Sequence, residues 1–128
     1  MTIAEWSLLA AVLLYLLTIA PVKPIGYREF DNSRPRDPAF YEKPLRARAL
    51  GAHLNGIETF PFFAAAVLLA EFRGAPQGRI DTLASAFVAI RFAYVLAYIF
   101  DKPWTRTLLW NLGFFVNLAI FLQPMFKG

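Results

Sequence analysis

Residues 45–70 read LRARALGAHLNGIETFPFFAAAVLLA, and this stretch decides the fold. Its 26 residues are apolar enough to lie in lipid and, as a helix, long enough to cross a hydrocarbon layer of about 30 Å. The stretch nevertheless carries a cation, an amide and a carboxylate, at Arg48, Asn55 and Glu58. Ionisable groups at membrane depth are unfavourable, and they usually face a protein interior or a watery cavity where they serve a function. The stretch therefore predicts a membrane-spanning helix that carries a functional site.

Three further apolar segments have a similar length. They cover residues 3–22, 83–100 and 104–122, and each contains one charged residue, namely Glu5, Arg91 and Arg106. The whole chain is 58% hydrophobic and 17% charged, whereas a soluble domain is about 45–50% apolar and about a quarter charged. The sequence therefore predicts an all-α integral membrane protein. We expect one membrane domain over 1–128, with helices over about 3–22, 45–70, 80–100 and 104–124.

The connections between the segments predict how the helices are arranged. Loop 23–44 contains four prolines and is expected to be irregular, whereas the connections near 71–79 and 101–103 are short. Short connections place neighbouring helices antiparallel, which predicts an up-down-up-down four-helix bundle. The first segment carries Glu5 near its start and has no Lys or Arg ahead of it, unlike a signal peptide, so we expect a retained helix.

Basic residues concentrate beside two of the three connections. Nine of them lie in loop 23–44, around 101–103 and at the adjoining helix ends: Lys23, Arg28, Arg34, Arg36, Lys43, Arg46, Arg48, Lys102 and Arg106. The opposite side has Arg73, Arg79 and Lys127. The positive-inside rule therefore predicts that loop 23–44 is cytoplasmic and that both termini lie on the non-cytoplasmic side. The net charge of +4 is a topology signal and does not indicate nucleic-acid binding.

The chain contains no cysteine. Disulfides, thiolate metal sites and a protein thiol nucleophile are therefore excluded, and we predict no metal site. If the protein performs thiol chemistry, the thiol belongs to a bound ligand.

Arg48, Asn55 and Glu58 lie on one stripe of the second predicted helix, within roughly 80° of one another at about 100° per residue. His53 lies about 140° away from Arg48 by the same measure and should face another neighbour. The stripe has two interpretations. Its polar groups either hydrogen-bond to neighbouring helices and hold the bundle together, or they bind a ligand.

The third segment carries a second polar stripe, formed by Arg91, Tyr94 and Tyr98. Arg91 could pair with Glu58 and join two helices, or the guanidinium and the phenols could line a pocket for an anionic polar ligand. Arg106 lies in the first turn of the fourth helix, where its charge adds to the positive end of the helix dipole. That position suits either a thiolate or carboxylate ligand, or a simple topological anchor.

These motifs resemble the MAPEG superfamily, the membrane-associated proteins of eicosanoid and glutathione metabolism. The resemblance rests on Arg48-Ala49-x-x-Ala52-His53-x-Asn55-x-x-Glu58-x-Phe60-Pro61 and the apolar run after it. It is supported by Arg91-x-x-Tyr94-x-x-x-Tyr98 and by Arg106. Chain length, four helices and the long basic loop agree, so the resemblance covers nearly the whole chain, and the short, little-specified members are the most similar.

The resemblance implies a homotrimer that binds glutathione at each subunit interface, with membrane lipid around it and a lipophilic co-substrate arriving from the lipid. The residues that it implies for glutathione binding are Arg48, His53, Asn55, Glu58, Arg91, Tyr94 and Tyr98. Arg106 resembles the arginine that stabilises the glutathione thiolate in the synthase members.

The chain departs from the eicosanoid synthases at three points. Gly51 stands where those enzymes carry another arginine, and Thr59 replaces an aromatic residue after the glutamate. Arg106 is also one residue further from the tyrosine of the third helix than in the leukotriene synthase pattern.

Three functional hypotheses follow. The first is a glutathione-dependent transferase or peroxidase that acts on a lipophilic electrophile. The second is a non-catalytic lipid-binding or scaffold protein of the same fold. The third is a small drug/proton exchanger, which also uses four short helices and one membrane carboxylate, but which needs that carboxylate free of a neighbouring cation.

Overall fold

The computed structural model describes residues 1–126, and it is built from helices joined by turns and one longer loop. In chain order the helices are α1 (Ile3–Ile19), α2 (Val22–Ile25), α3 (Pro44–Phe72), α4 (Gln77–Ile99) and α5 (Pro103–Leu122). Two 3-10 helices, Pro38–Glu42 and Gln123–Phe126, precede α3 and follow α5. Four helical spans are long and apolar enough to cross a membrane, α1 being counted together with α2. The predicted all-α fold with four membrane-length helices is confirmed.

Hydrogen bonds between helix ends fix the direction of each long helix. The backbone N–H of Ala4 donates to Asp81 at 2.9 Å, so α1 and α4 begin side by side. Arg48 Nε donates to the carbonyl oxygen of Ile99 at 3.0 Å, so the start of α3 lies beside the end of α4. Consecutive long helices therefore run antiparallel. We call the end of the bundle with residues 1–5 and 71–81 the terminal end, and the end with residues 20–48 and 99–106 the loop end. Lys127 lies outside the described residues.

Caps and prolines set the helix boundaries. Thr2 Oγ1 accepts a hydrogen bond from the N–H of Glu5 at 3.0 Å, and the Glu5 carboxylate accepts one from the N–H of Thr2 at 2.7 Å, which is a capping box. Pro44 stands in the first turn of α3, where a missing N–H does no harm. Helix α1 ends at Ile19, earlier than predicted, because Pro21 has no N–H with which to continue the helical hydrogen bonds.

The turns after α3 and α4 share one geometry. In each, the residue after the helix cap is left-handed, with φ of 66° at Gly74 and 56° at Asp101. The amides of Gly74 and Ala75, and those of Asp101 and Lys102, donate back to helix carbonyls at 2.8–3.2 Å. This crossed pair of bonds is the Schellman motif. Glycine adopts a positive φ freely, whereas an aspartate there is strained.

Loop 23–44, predicted to be irregular, contains α2 and a 3-10 turn and is packed against the bundle. A small apolar cluster is formed by Val22, Phe40, Tyr41 and Ala49. The Arg46 guanidinium lies 4.3 Å from the centre of the Phe40 ring and donates to Glu29 at 2.8 Å. Lys43 Nζ donates to the other oxygen of Glu29 at 2.7 Å. These hydrogen bonds from two cations lower the pKa of Glu29 to about 2.

The main apolar core lies toward the terminal end and the middle of the bundle. Its largest fully buried side chains are Phe63, Val67, Ile80 and Ile120. Alanines such as Ala66 and Ala84 are completely buried among them, which lets the helices approach closely. The polar stripes are therefore left in the half of the bundle where this core is thinnest.

Candidate functional site

The polar stripe of α3 faces α4. A Cβ atom built on Gly51 would overlap the hydroxyl of Tyr98, so these two residues lie directly against each other. Further along the same interface, Glu58 and Arg91 line one cavity. The structure thus brings together the two stripes that the sequence indicates. It also explains one departure from the synthase pattern, because the Tyr98 phenol occupies the space that a side chain at position 51 would need.

Two arginines and two tyrosines form a continuous chain from α4 to α5. The guanidinium carbon of Arg91 lies 4.1 Å from the centre of the Tyr94 ring, and that of Arg106 lies 4.6 Å from the centre of the Tyr98 ring. The tyrosine rings meet edge to face at 5.8 Å. Both contacts are within the range of cation–π attraction. The spacing of Arg106 therefore does not prevent it from reaching the α4 tyrosines.

Arg48 caps the end of α4. Its Nε–H donates to the carbonyl oxygen of Ile99, one of the final helix carbonyls that have no partner within the helix. A guanidinium has five N–H donors, and this bond uses one of them. Arg48 is half-buried at the loop end.

Asn55 and Glu58 lie deeper along α3, and residues 1–126 leave polar atoms of both side chains without a partner. The Oδ1 atom of Asn55 is buried and accepts no hydrogen bond from residues 1–126. Glu58 is exposed, at the midpoint of a 29-residue helix that is about 44 Å long. No Lys or Arg nitrogen of the described residues lies within 4.0 Å of its carboxylate. The Arg91–Glu58 ion pair considered from the sequence therefore does not form within residues 1–126.

His53 does not join the other predicted site residues. Its Nδ1 donates to the backbone carbonyl of Tyr15 at 2.7 Å, and its ring meets the Tyr15 ring edge to face at 5.8 Å. A carbonyl oxygen only accepts, so the proton is on Nδ1. His53 thus faces α1, and it lines a separate open groove of about 770 Å³ together with Lys23 and Arg36.

A cavity of about 160 Å³ lies between α3, α4 and α5. Besides Glu58 and Arg91 it is lined by Trp110, Gly113 and Asn117 of α5, which the sequence reasoning did not single out. A signal was available for Asn117. It lies four residues after Gly113 and three before Ile120, and these three form the buried stripe of α5, so an amide among them faces the interior.

The arrangement offers charged donors at one end and unsatisfied acceptors deeper in. Arg48 and Arg106 lie at the loop end, where anionic groups would be stabilised. Asn55 and Glu58 lie further into the membrane span, where an ammonium or amide group would be stabilised. A ligand that fits both must carry charges of both signs along its length.

Comparison with known proteins gives one match. The model of the MAPEG family matches residues 3–126. Searches of the curated proteins and of the solved structures found no match.

Proposed function

We propose, from the premise that the chain belongs to the MAPEG family, that it is a glutathione-dependent membrane enzyme. It would be a transferase or a peroxidase that acts on a lipophilic electrophile. The family match covers nearly the entire chain and, with the four apolar helices, makes it an integral multi-pass membrane protein.

One observation carries the proposal: within residues 1–126, the Glu58 carboxylate has no cation within 4.0 Å and Asn55 Oδ1 has no hydrogen-bond donor. A carboxylate at the midpoint of a membrane-length helix, with no cation of residues 1–126 within 4.0 Å, is unfavourable unless something else neutralises it. The buried Oδ1 of Asn55, one turn away, also lacks a donor. Both groups require a partner that the described chain does not supply, which favours a bound ligand over contacts that merely hold helices together.

Glutathione has the matching charges. Its ammonium group would bind Glu58 with the amide of Asn55 beside it, and its carboxylates would bind Arg48 and the loop-end cations. Its thiol would lie near Arg106, and the Tyr94 and Tyr98 phenols would donate hydrogen bonds from α4. With loop 23–44 in the cytoplasm and the termini on the other side, the ligand would enter from the cytoplasm, while the electrophile would enter from lipid.

The position of His53 supports an oligomer. His53 packs against α1, away from the face that carries Glu58. If His53 contacts glutathione, as the resemblance implies, the glutathione must be one that is bound to a neighbouring subunit. The groove beside His53, with Lys23 and Arg36 at its loop end, is the surface that such a neighbour would cover. We therefore propose a homotrimer with a site at each interface.

Arg106 would activate the thiol. A thiol with pKa near 8.5 is mostly protonated at neutral pH, and a cation at a helix N-terminus favours the thiolate. In the transferase reaction the thiolate sulfur bonds to the electrophilic carbon. Either a leaving group departs from that carbon, or the electron pair of its broken bond moves to a neighbouring atom, which then gains a proton. In the peroxidase reaction the thiolate attacks the O–O bond, and a second glutathione reduces the sulfenic acid to form the disulfide.

The direct test is thermal unfolding of detergent-solubilised protein across a glutathione titration. A ligand that binds only the folded state raises the melting temperature as its concentration passes the dissociation constant. We expect a saturable rise that is lost in Glu58→Gln and Arg48→Ala. Arg106→Ala should retain most of the rise but increase the pKa of the bound thiol, measured from thiolate absorbance against pH.

Glu71→Gln is the matched control, because it makes the same chemical change on the same helix at the terminal end. It should alter the melting temperature of the free protein and leave the glutathione-induced rise intact. An unchanged rise in Glu58→Gln would mean that the site is assigned wrongly. No rise in the wild type at several millimolar glutathione would remove the enzyme hypothesis.

A non-catalytic lipid-binding or scaffold role is the second candidate. It is favoured by the contact of Gly51 with the Tyr98 hydroxyl, which leaves no room for the additional arginine of the synthases. In that case glutathione gives no thermal shift, and lipid should copurify with the protein. The exchanger hypothesis is weakened by the match to the MAPEG family over residues 3–126.

A further inference from the structure

The cavity between α3, α4 and α5 has aromatic walls and a polar floor. Phe62, Phe87, Trp110 and Phe114 supply the walls, and Glu58, Arg91 and Asn117 supply the polar groups. Its volume is about 160 Å³. An apolar protein cavity of about 150 Å³ is large enough to hold one benzene ring. The space therefore fits a single ring with small substituents.

Two deeply buried polar side chains in the cavity lining have unsatisfied atoms. Arg91 is 5% exposed and Asn117 is 3% exposed. Arg91 Nη2 and Asn117 Oδ1 have no hydrogen-bond partner among residues 1–126. Stacking of the Arg91 guanidinium on Tyr94 engages its face and leaves its N–H groups in need of an acceptor. Unpaired buried groups of this kind are strongly unfavourable. A ligand with an acceptor oxygen beside Arg91 would therefore remove the free-energy cost of its unsatisfied donor.

The charge around the cavity selects a neutral ligand. Arg91 contributes one positive charge, and Glu58, which lines the same cavity, contributes one negative charge. A carboxylate ligand would neutralise Arg91 but would place a second negative charge near Glu58. A neutral carbonyl oxygen would accept from Arg91 and leave the local charge balanced.

We propose that this cavity binds the ring of a neutral, carbonyl-bearing electrophile, a quinone or a cyclic enone. The carbonyl oxygen accepts a hydrogen bond from the Arg91 guanidinium, and the ring packs between the aromatic walls. The inference names the co-substrate class for the proposed glutathione reaction and in that respect rests on it. The binding site itself stands on the cavity and its unsatisfied groups.

The reaction that this placement supports is conjugate addition. A hydrogen bond from a cation to the carbonyl oxygen draws electron density from the β-carbon. The glutathione thiolate forms a C–S bond there, the C=C electron pair moves to give the enolate, and the enolate takes up one proton. For a quinone, loss of the ring hydrogen as a proton and its uptake at oxygen give the substituted hydroquinone. No group leaves and no external oxidant is needed.

The cavity lies next to the proposed thiolate position. Trp110, in its wall, follows Arg106 by four residues, so the two lie on one face of α5 about one helical turn apart. A ring held with its carbonyl at Arg91 would therefore lie against the helix that carries Arg106, the residue proposed to hold the sulfur.

The test uses three molecules of one shape: 2,5-dimethyl-1,4-benzoquinone, 1,2,4,5-tetramethylbenzene and 2,5-dimethylbenzoate. Trp110 fluorescence, in a protein with Trp6→Phe and Trp104→Phe, reports quinone binding by quenching, and the other two are measured as competitors. The chain has no cysteine for the quinone to alkylate. All measurements are made without glutathione. We expect saturable quinone binding, at least tenfold tighter than that of the hydrocarbon or the carboxylate.

Two variants distinguish the contribution of the Arg91 hydrogen bond from that of the cavity volume. Arg91→Met should weaken quinone binding by about tenfold or more, the size of a lost hydrogen bond to a charged group, and leave hydrocarbon binding unchanged. Gly113→Leu should abolish binding of all three, because a Cβ at Gly113 fits at 3.5 Å from Ile90 and the added side chain fills the cavity. Asn111→Leu, at an exposed position on the same helix, is the control and should change nothing.

Equal binding of the quinone and the hydrocarbon would reduce the site to an apolar cavity, and tighter binding of the carboxylate would overturn the assignment of a neutral ligand. Both comparisons are available in the Trp110 reporter protein with no further substitution, so they survive if Arg91→Met does not fold. These binding measurements contain no glutathione, so they test the ring site independently of the proposed enzyme. An absence of glutathione binding in the separate titration would refute the enzyme without deciding whether this site exists.

Discussion

At the terminal end of the bundle the polar side chains are paired across three helices, whereas at the α3–α4–α5 interface they are not. Glu71 accepts from Thr2 at 2.7 Å and from Gln77 at 2.9 Å, and Asp81 accepts from Gln77 and from the Ala4 backbone at 2.9 Å each. We call Thr2, Glu71, Gln77 and Asp81 the terminal cap, and Asn55, Glu58, Arg91 and Asn117 the polar cleft. Residues 1–126 contain four buried side-chain atoms without a hydrogen-bond partner. Three of them belong to the polar cleft, and the fourth belongs to Gln123.

The contrast separates groups that stabilise the fold from groups that we propose bind a ligand. The hydrogen bonds of the terminal cap join α1 to the α3–α4 hairpin and so hold the bundle together. Within residues 1–126, the polar cleft leaves the Glu58 carboxylate without a cation and leaves one atom each of Asn55, Arg91 and Asn117 without a hydrogen-bond partner. This arrangement lowers the stability of the free protein. Proteins tolerate such local penalties at functional sites, where binding removes them.

The largest expected effect is at Arg91. Replacing this buried cation with methionine removes an unsatisfied charged group and keeps an unbranched apolar stem, so the ligand-free protein should gain about 1–3 kcal/mol. The measurement is equilibrium unfolding in a mixed-micelle denaturant series without ligand. A loss of stability in Arg91→Met would mean that Arg91 is paired in the free protein and that the polar cleft is not a site of strain.

The opposite sign is expected at the terminal cap. Asp81→Ala removes the acceptor for the first turn of α1 and for Gln77, and should cost about 1.5 kcal/mol, the value of a hydrogen bond to a charged group. Hydrogen exchange should become faster in residues 3–7 without a change in glutathione binding. Glu42→Ala, an exposed carboxylate at the loop end, is the control and should be neutral. If Asp81→Ala and Glu42→Ala have the same stability, the hydrogen bonds of the terminal cap do not stabilise the bundle.

The two Schellman turns repeat the contrast on a smaller scale. Gly74, at the terminal end, is unstrained, whereas Asp101, beside the candidate site, holds the same left-handed geometry with a side chain. Asp101→Gly should therefore stabilise the protein by about 1 kcal/mol, and Gly74→Asp should destabilise it by a similar amount. Thermal unfolding of the two variants measures both signs. A destabilised Asp101→Gly would show that the aspartate side chain makes a contribution that outweighs its backbone strain.

Much of the fold was predictable, because it depends on patterns that are local in sequence. The length of each apolar run, the short turns and Pro44 or Pro103 in a first turn are each visible without a structure. The early end of α1 was missed although Pro21 signalled it. The packing of loop 23–44 was missed because it depends on a cluster between Phe40 and distant residues, which periodicity does not reveal.

The site was predictable only as far as helical faces determine it. The shared face of Asn55 and Glu58 follows from their spacing, and so does the separation of His53 from them. What spacing cannot give is the partner on another helix. The Tyr98 phenol against Gly51 and the Asn117 amide in the cavity depend on how α4 and α5 are rotated, which long-range packing decides.

The smallest expected effect is a dependence of loop stability on pH. It involves Glu29, which lies at the loop end outside the membrane spans and forms ion pairs with Lys43 and Arg46. The pKa of Glu29 is about 2 in the folded chain, below the ordinary value of 4.5, because both cations favour its ionised form. Its contribution to holding the loop is therefore present above pH 4.5 and is lost as the pH falls toward 2. Asp31, whose pKa is lowered by hydrogen bonds from Ser33, acts in the same direction.

We expect the amides of residues 26–30 to lose protection from hydrogen exchange over that acidic range, after correction for the intrinsic rate. Glu29→Gln should remove most of the pH dependence and Asp31→Asn should remove little of it, since Asp31 bonds only within its own turn. High salt should reproduce part of the loss at neutral pH, because exposed ion pairs are screened. An unchanged dependence of hydrogen exchange on pH in Glu29→Gln would show that the aromatic cluster around Phe40 holds the loop without help from the ion pairs. Ion pairs at the loop end would then contribute little to the stability of the loop, even at short N–O distances.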